Sequence, residues 1–156
     1  MAAGDPDSED SPFDPARLLA LAVSRPRDAL AAARSFLAGR PGAYDASFAH
    51  HAIGIVLRDR GDLPGAITEL REAVRLARAA GVPEREVDVQ ATLGITLAWM
   101  GRSRQGLVVL DHAVQASRGS TTGRVLMRRA LVFNHVYEAL VVTAESGTKA
   151  PFLAVI

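Results

Sequence analysis

An internal repeat with a period of 40 residues limits the folds that this chain can adopt. Ile53-Gly54 and Leu93-Gly94 stand in the same register, as do Gly61 and Gly101. Self-similarity at a fixed period between about 20 and 50 residues is typical of stacked structural repeats. The repeat therefore predicts an array of similar units. Its other matching pairs are Leu57 with Leu97, Ala66 with Gly106, Leu70 with Leu110, Ala73 with Ala113 and Val74 with Val114.

Each repeat is predicted to form two antiparallel helices. In the second repeat, apolar residues recur at helical spacing in two separate runs. The composition also favours helices, with 28 alanines, 5% aromatic residues and no cysteine. Ala is the best helix former, and its small side chain lets helices approach closely. We therefore expect an all-α fold. The two apolar runs are Leu93, Leu97 and Met100, then Leu107, Leu110 and Val114.

Glycines occupy two kinds of position in the repeat. Gly61 and Gly101 fall between paired helices, where a glycine adopts the left-handed conformation that reverses the chain. Gly54 and Gly94 fall inside helices, where each costs about 1 kcal/mol relative to Ala. Because this cost recurs at the same register, we expect the helices to be in close contact at Gly54 and Gly94.

The N-terminal region predicts a disordered tail followed by a helical hairpin. Residues 1–13 are acidic and contain little to bury, so they are predicted to be disordered. Asp14-Pro15 combines an N-cap acid with proline at the first helical position, and predicts a helix to about Ser24. A second helix is predicted from Pro26 to Gly39.

The repeat register resembles that of the tetratricopeptide repeat (TPR) family. The resemblance implies a superhelical solenoid of antiparallel helix hairpins with about three and a half repeats, covering residues 14–135. The chain departs from the family in lacking the Trp and Tyr of helix A and the closing proline. Its period exceeds the usual one of about 34 residues, which predicts longer helices and a longer linker at residues 78–86. The matching positions are Ile53-Gly54, Leu57, Gly61, Ala66, Leu70 and Ala73, and their equivalents 40 residues later.

The last repeat begins in register and then departs from it. Thr121 or Thr122 is predicted to cap a helix, but the register is lost after Phe133 and no turn glycine follows. We expect one continuous helix over residues 122–145. Residues 136–156 are interpreted as a degenerate or truncated last repeat with an apolar tail. Two interpretations stay open. The tail folds back over the end of the stack, or the chain is a remnant of a longer array, which the missing polar cap favours.

The titratable residues show no catalytic or metal-binding pattern. His50 and His51 are adjacent and would point about 100° apart on a helix, so we interpret them as a surface and groove pair instead of metal ligands. Cysteine chemistry is excluded, and no known catalytic motif is present. The sequence predicts a protein that is not an enzyme and holds no cofactor or metal. The residues interpreted as solvated helix faces are Glu69, Glu72, Glu84, Glu86 and Asp88.

The TPR resemblance implies a concave groove, lined by the first helix of each repeat, that takes an extended peptide or a partner helix. Trp99 is either the main anchor of this groove or a core residue between repeats. Arg124 and Arg128 match two basic positions of the subtype that binds C-terminal carboxylates, whereas His51, Ile55 and Thr92 depart from that subtype. The predicted groove residues are Phe48, His51, Ile55, Arg58, Asp59, Asp88, Thr92, Ile95, Trp99, Arg124, Arg128 and Asn134.

Three hypotheses for the function follow. The first is a cytoplasmic protein–protein interaction module with a protein or peptide partner. The second is the regulatory arm of a CHAT-type (caspase-like) peptidase protein, because long repeats of this kind resemble those of CHAT-domain proteins in high-GC bacteria. The third is nucleic-acid binding through arginines, although the scattered charge argues against it. A homodimer through the open C-terminal end is a further hypothesis. No apolar run approaches the length of a membrane helix.

Overall fold

The computed structural model describes residues 14–117, and this part of the chain is entirely helical, with six α-helices and no β-strand. The prediction of an all-α fold is confirmed for these residues. None of the helices within this range is long and apolar enough to cross a membrane. The helices are α1 (Arg17–Ser24), α2 (Pro26–Ala38), α3 (Ala43–Asp59), α4 (Leu63–Ala79), α5 (Pro83–Trp99) and α6 (Ser103–Ser117).

Local sequence explains where the first two helices begin and end. The Asp14 carboxylate accepts a hydrogen bond from the Ala16 N–H at 2.9 Å, and the α-helix itself begins at Arg17, slightly later than predicted. The second helix begins at Pro26 and is followed by Gly39, as predicted. The two helices pack against each other and against α3, which confirms the helical hairpin.

The two full repeats form two equivalent helix pairs. α5 begins 40 residues after α3, and α6 begins 40 residues after α4. Within each pair the two helices pack closely together, and α4 packs against α5. The predicted long linker is wrong, because α4 continues to Ala79 and α5 already begins at Pro83. Proline at the first helical position opens α5, since its missing N–H is one that a helix start leaves unpaired.

The turns inside the two pairs are built in the same way. Gly61 has φ of 85° and Gly101 has φ of 80°, so both adopt the predicted left-handed conformation. In the first turn, the Asp62 N–H donates to the Leu57 carbonyl at 2.9 Å, and the second turn repeats this bond. The Asp62 carboxylate then caps α4 by accepting from the Gly65 N–H at 3.0 Å.

The glycines inside the helices allow the close contact that the register predicts. A Cβ atom on Gly54 would lie 2.7 Å from Cγ of Leu70, which is fully buried on α4. A Cβ atom on Gly94 would meet Leu110 of α6 in the same way. The same glycine–leucine contact thus holds each pair together, and the expectation of close helix contact is confirmed.

Several predictions concern residues outside the described range of 14–117. They include the acidic tail, the continuous helix over residues 122–145 and the tail over residues 136–156. The proposed C-terminal dimer surface and the groove residues Arg124, Arg128 and Asn134 also lie there. These stay predictions.

Candidate functional site

The predicted groove residues on α3 and α5 differ in their access to solvent. The exposed residues are accessible to a partner, whereas the buried ones are not. The exposed residues are Asp59 and Trp99, the partly buried ones are Arg58, Asp88 and Thr92, and the buried ones are Phe48, His51, Ile55 and Ile95.

A buried arginine that the sequence did not single out connects α5 to α3. Arg85 is 1% exposed. Its Nε donates to Ser47 Oγ at 2.9 Å, and its Nη2 donates to the Ser47 carbonyl at 3.1 Å and to His51 Nδ1 at 3.0 Å. Its Nη1 donates to Asp88 Oδ2 at 3.0 Å, and its guanidinium carbon lies 3.8 Å from the centre of the Phe48 ring. Hydrogen bonds of this kind satisfy a cation that would otherwise be too costly to bury.

His51 completes this network with a defined tautomer. A guanidinium can only donate, so Nδ1 of His51 accepts from Arg85 and its Nε2 carries the proton. Nε2 therefore donates to Thr92 Oγ1, which lies 2.8 Å away. Burial lowers the pKa of His51 well below its usual value, and the positive charges of Arg85 and Arg58 lower this pKa further. We call this set the α3–α5 joint; it consists of Ser47, Phe48, His51, Arg85, Asp88 and Thr92.

Of the predicted surface and groove pair, His51 is buried between α3 and α5. Only His50 is partly exposed, and its Nδ1 lies 2.7 Å from Glu69 Oε2. His51 turns toward α5 because Arg85 and Thr92 offer it one donor and one acceptor.

The expectation of solvated acidic faces also needs correction. Glu86 accepts hydrogen bonds from Arg78 and Gln90, and Asp88 accepts one from Arg85. Both carboxylates are partly buried. Helix contacts therefore use these acids as acceptors instead of leaving them in solvent.

The exposed end of the site is centred on Trp99, the last residue of α5. Its side chain is 46% exposed, so within the described part of the chain the indole is not enclosed between repeats. The guanidinium carbon of Arg58 lies 5.2 Å from the centre of the Trp99 ring, a cation–π contact. Nε of Arg58 also donates to Asp59 Oδ1 at 2.8 Å, so Arg58 is held in place from two sides. We call Arg58, Asp59 and Trp99 the Trp99 cluster.

A concave surface lies between α3 and α4. It is a cleft of about 560 Å³ in which opposite charges pair with each other. The hydrogen bond from Arg75 lowers the pKa of Glu72. No group of three potential metal ligands occurs among residues 14–117. The cleft residues are His50, Thr68, Glu69, Arg71, Glu72 and Arg75.

Four arginines of the described helices are bound to carboxylates. The pairs are Arg58 with Asp59, Arg75 with Glu72, Arg78 with Glu86 and Arg85 with Asp88.

Comparisons with protein-family models, with curated protein sequences and with solved structures found no match for this chain.

Proposed function

We propose that this chain is a non-catalytic protein-interaction module, built as a TPR-like solenoid, that binds a peptide or a partner helix. Two helix pairs of equal design, each packed on the next, support the solenoid, since repeat proteins consist of units that contact their neighbours. The observation that carries the binding function is the half-exposed Trp99 backed by Arg58.

The Trp99 cluster has the properties of a binding anchor. Aromatic residues and arginines contribute most of the free energy in protein interfaces. Arg58 covers the indole and is itself fixed by Asp59, so Trp99 loses little conformational freedom when a partner packs against it. Its exposed surface offers an apolar contact beside a cation and a carboxylate.

Peptide selection followed by a fluorescence titration tests this proposal. Peptides selected from a random displayed library on the immobilised protein are titrated into free protein, and Trp99, the only tryptophan of the chain, reports directly on its own environment. Because interface hot spots contribute about 2 kcal/mol or more, we expect Trp99→Ala to weaken binding by roughly 30-fold, measured by calorimetry.

The matched control is Val23→Ala on α1, which removes another exposed apolar side chain. We expect it to leave affinity unchanged. Arg128→Ala tests the basic end that the sequence predicts, and helicity should persist in all three variants. Equal binding by wild type and by Trp99→Ala/Arg128→Ala would show that the groove assignment is wrong.

The two other functional hypotheses stay predictions. A CHAT-type arm requires a Cys/His peptidase domain elsewhere, since this chain contains no cysteine. Nucleic-acid binding predicts an affinity that falls steeply as salt rises, because bound counterions are released. The absence of any salt-dependent binding to DNA or RNA would eliminate it.

A further inference from the structure

Hydrogen bonds of side chains connect α3 to α5. α3 packs broadly on α4 and α5 on α6, whereas α3 and α5 meet along a narrow line. Arg85 and Thr92 of α5 bond across this line to Ser47 and His51 of α3. By contrast, the other side of α5 packs on α4 through apolar residues such as Val89 and Leu93. The two sides of α5 therefore respond differently to a change in charge.

Protonation of His51 would break the hydrogen bond between Nη2 of Arg85 and Nδ1 of His51. Nδ1 would then carry a hydrogen that faces an N–H of Arg85 across 3.0 Å, so one acceptor of Arg85 would become a competing donor. The new positive charge would also lie beside Arg85 and Arg58. Asp88 does not compensate, since it is bound to Nη1, on a different nitrogen of Arg85 from the one that faces His51.

Among residues 14–117, no group on the other helices packed against α3 offsets this effect. On α4, Glu69 is bound to the neighbouring His50. Among the described residues, α1 and α2 place no hydrogen-bond partner or charge on the His51 ring. Among residues 14–117, the groups that act on the His51 ring are Arg58, Arg85 and Thr92.

We propose that the α3–α5 joint is a proton-operated latch, in which neutral His51 ties the first turns of α5, residues 83–88, to α3 and protonated His51 lets those turns unwind. The rest of α5 stays packed on α4 and α6 through residues such as Val89, Ala91 and Leu93. Opening uncovers Phe48 and His51, two of the predicted groove residues, so the proton controls access to that part of the groove. The latch opens with or without a partner and does not depend on the proposed binding function.

The latch predicts a specific pH dependence. In the open form His51 regains its usual pKa of 6.5, while the closed form holds it neutral. The open form therefore binds one more proton, and the opening constant rises by about ten-fold for each pH unit below 6.5.

Native-state amide hydrogen exchange on the full chain, between about pH 5 and 8, measures this constant. Below pH 6.5, protection factors corrected for intrinsic exchange should fall by about ten-fold per pH unit for the amides of residues 87–92, which donate to the carbonyls of residues 83–88 in α5. Low concentrations of urea should hardly change the protection factors of these amides, because opening of the latch exposes little surface. The amides of Leu70 and Ala73 on α4 should instead show the urea dependence of global unfolding. His51→Gln keeps a donor and an acceptor but does not titrate, so it should abolish the pH dependence. His50→Gln should retain it.

Two results would overturn the latch. In the first, residues 87–92 exchange with the same urea dependence as α4, so that the joint opens only in global unfolding. In the second, His51→Gln keeps the pH dependence of wild type. If His51→Gln does not fold, ¹⁵N NMR of the wild-type imidazole decides, because a proton on Nδ1 at neutral pH is incompatible with acceptance from Arg85.

Discussion

At the scale of single residues, Gly54 and Gly94 show how a helix contact can depend on a missing methyl group. We expect Gly54→Ala and Gly94→Ala each to lower the free energy of unfolding by about 1–3 kcal/mol, because the added Cβ would overlap Leu70 or Leu110. The clash outweighs the gain of about 1 kcal/mol in helix propensity. Urea unfolding followed by circular dichroism measures the change.

Gly42→Ala is the matched control, since a Cβ there meets nothing within 4 Å. Its stability should be unchanged or slightly higher. In the double variant Gly54→Ala/Leu70→Ala the clash is absent, so the two losses should not add. Strict additivity would contradict the proposed contact.

At the scale of helices, the α3–α5 joint should depend on Arg85 more than on any surface arginine. We expect Arg85→Met to lower the free energy of unfolding by about 3–5 kcal/mol, because it leaves the buried His51 and the Ser47 carbonyl without their donor. Arg78→Met removes an arginine whose side chain is 66% exposed and should change stability little. Similar losses in both variants, measured by urea unfolding, would contradict the network as described.

The sequence predicted the glycine contacts but not this joint, for a physical reason. Gly54 and Gly94 lie at one register in both repeats, so their shared role is visible as repetition. Arg85 has no counterpart in the first repeat, where Asp45 occupies the equivalent position, and its acidic neighbours suggest solvent. Two signals were present. Pro83 marks the start of a helix, and the polar pair Ser47 and His51 lies four residues apart, on one face of α3.

At the scale of the whole molecule, stability should depend on pH through His51. The folded chain holds His51 neutral, whereas the unfolded chain binds a proton near pH 6.5. The stabilising contribution is therefore complete above that pH and is lost as the pH falls below it. We expect the free energy of unfolding to decrease by up to about 1.4 kcal/mol per pH unit there.

Urea unfolding of wild type and His51→Gln over this pH range tests the prediction. The wild type should lose stability as the solution becomes acidic, and His51→Gln should not until carboxylates begin to titrate. Glu72, whose pKa is also lowered, adds a loss only below its usual value of 4.5. A wild-type stability that is independent of pH between about 5 and 6.5 would rule out a buried neutral His51.

The α3–α5 joint also affects whether the chain can lose one of its repeats. Deletion of one repeat would remove residues 62–101 and join the turn at Gly61 to α6. Such a shortened chain would keep Ser47 and His51 but lose Arg85 and Thr92, so a buried imidazole would have neither of its partners. The glycine–leucine contact is the same in both repeats. The joint, in contrast, requires α3 of the first repeat and α5 of the second. Selection for a folded product would therefore act against loss of one repeat.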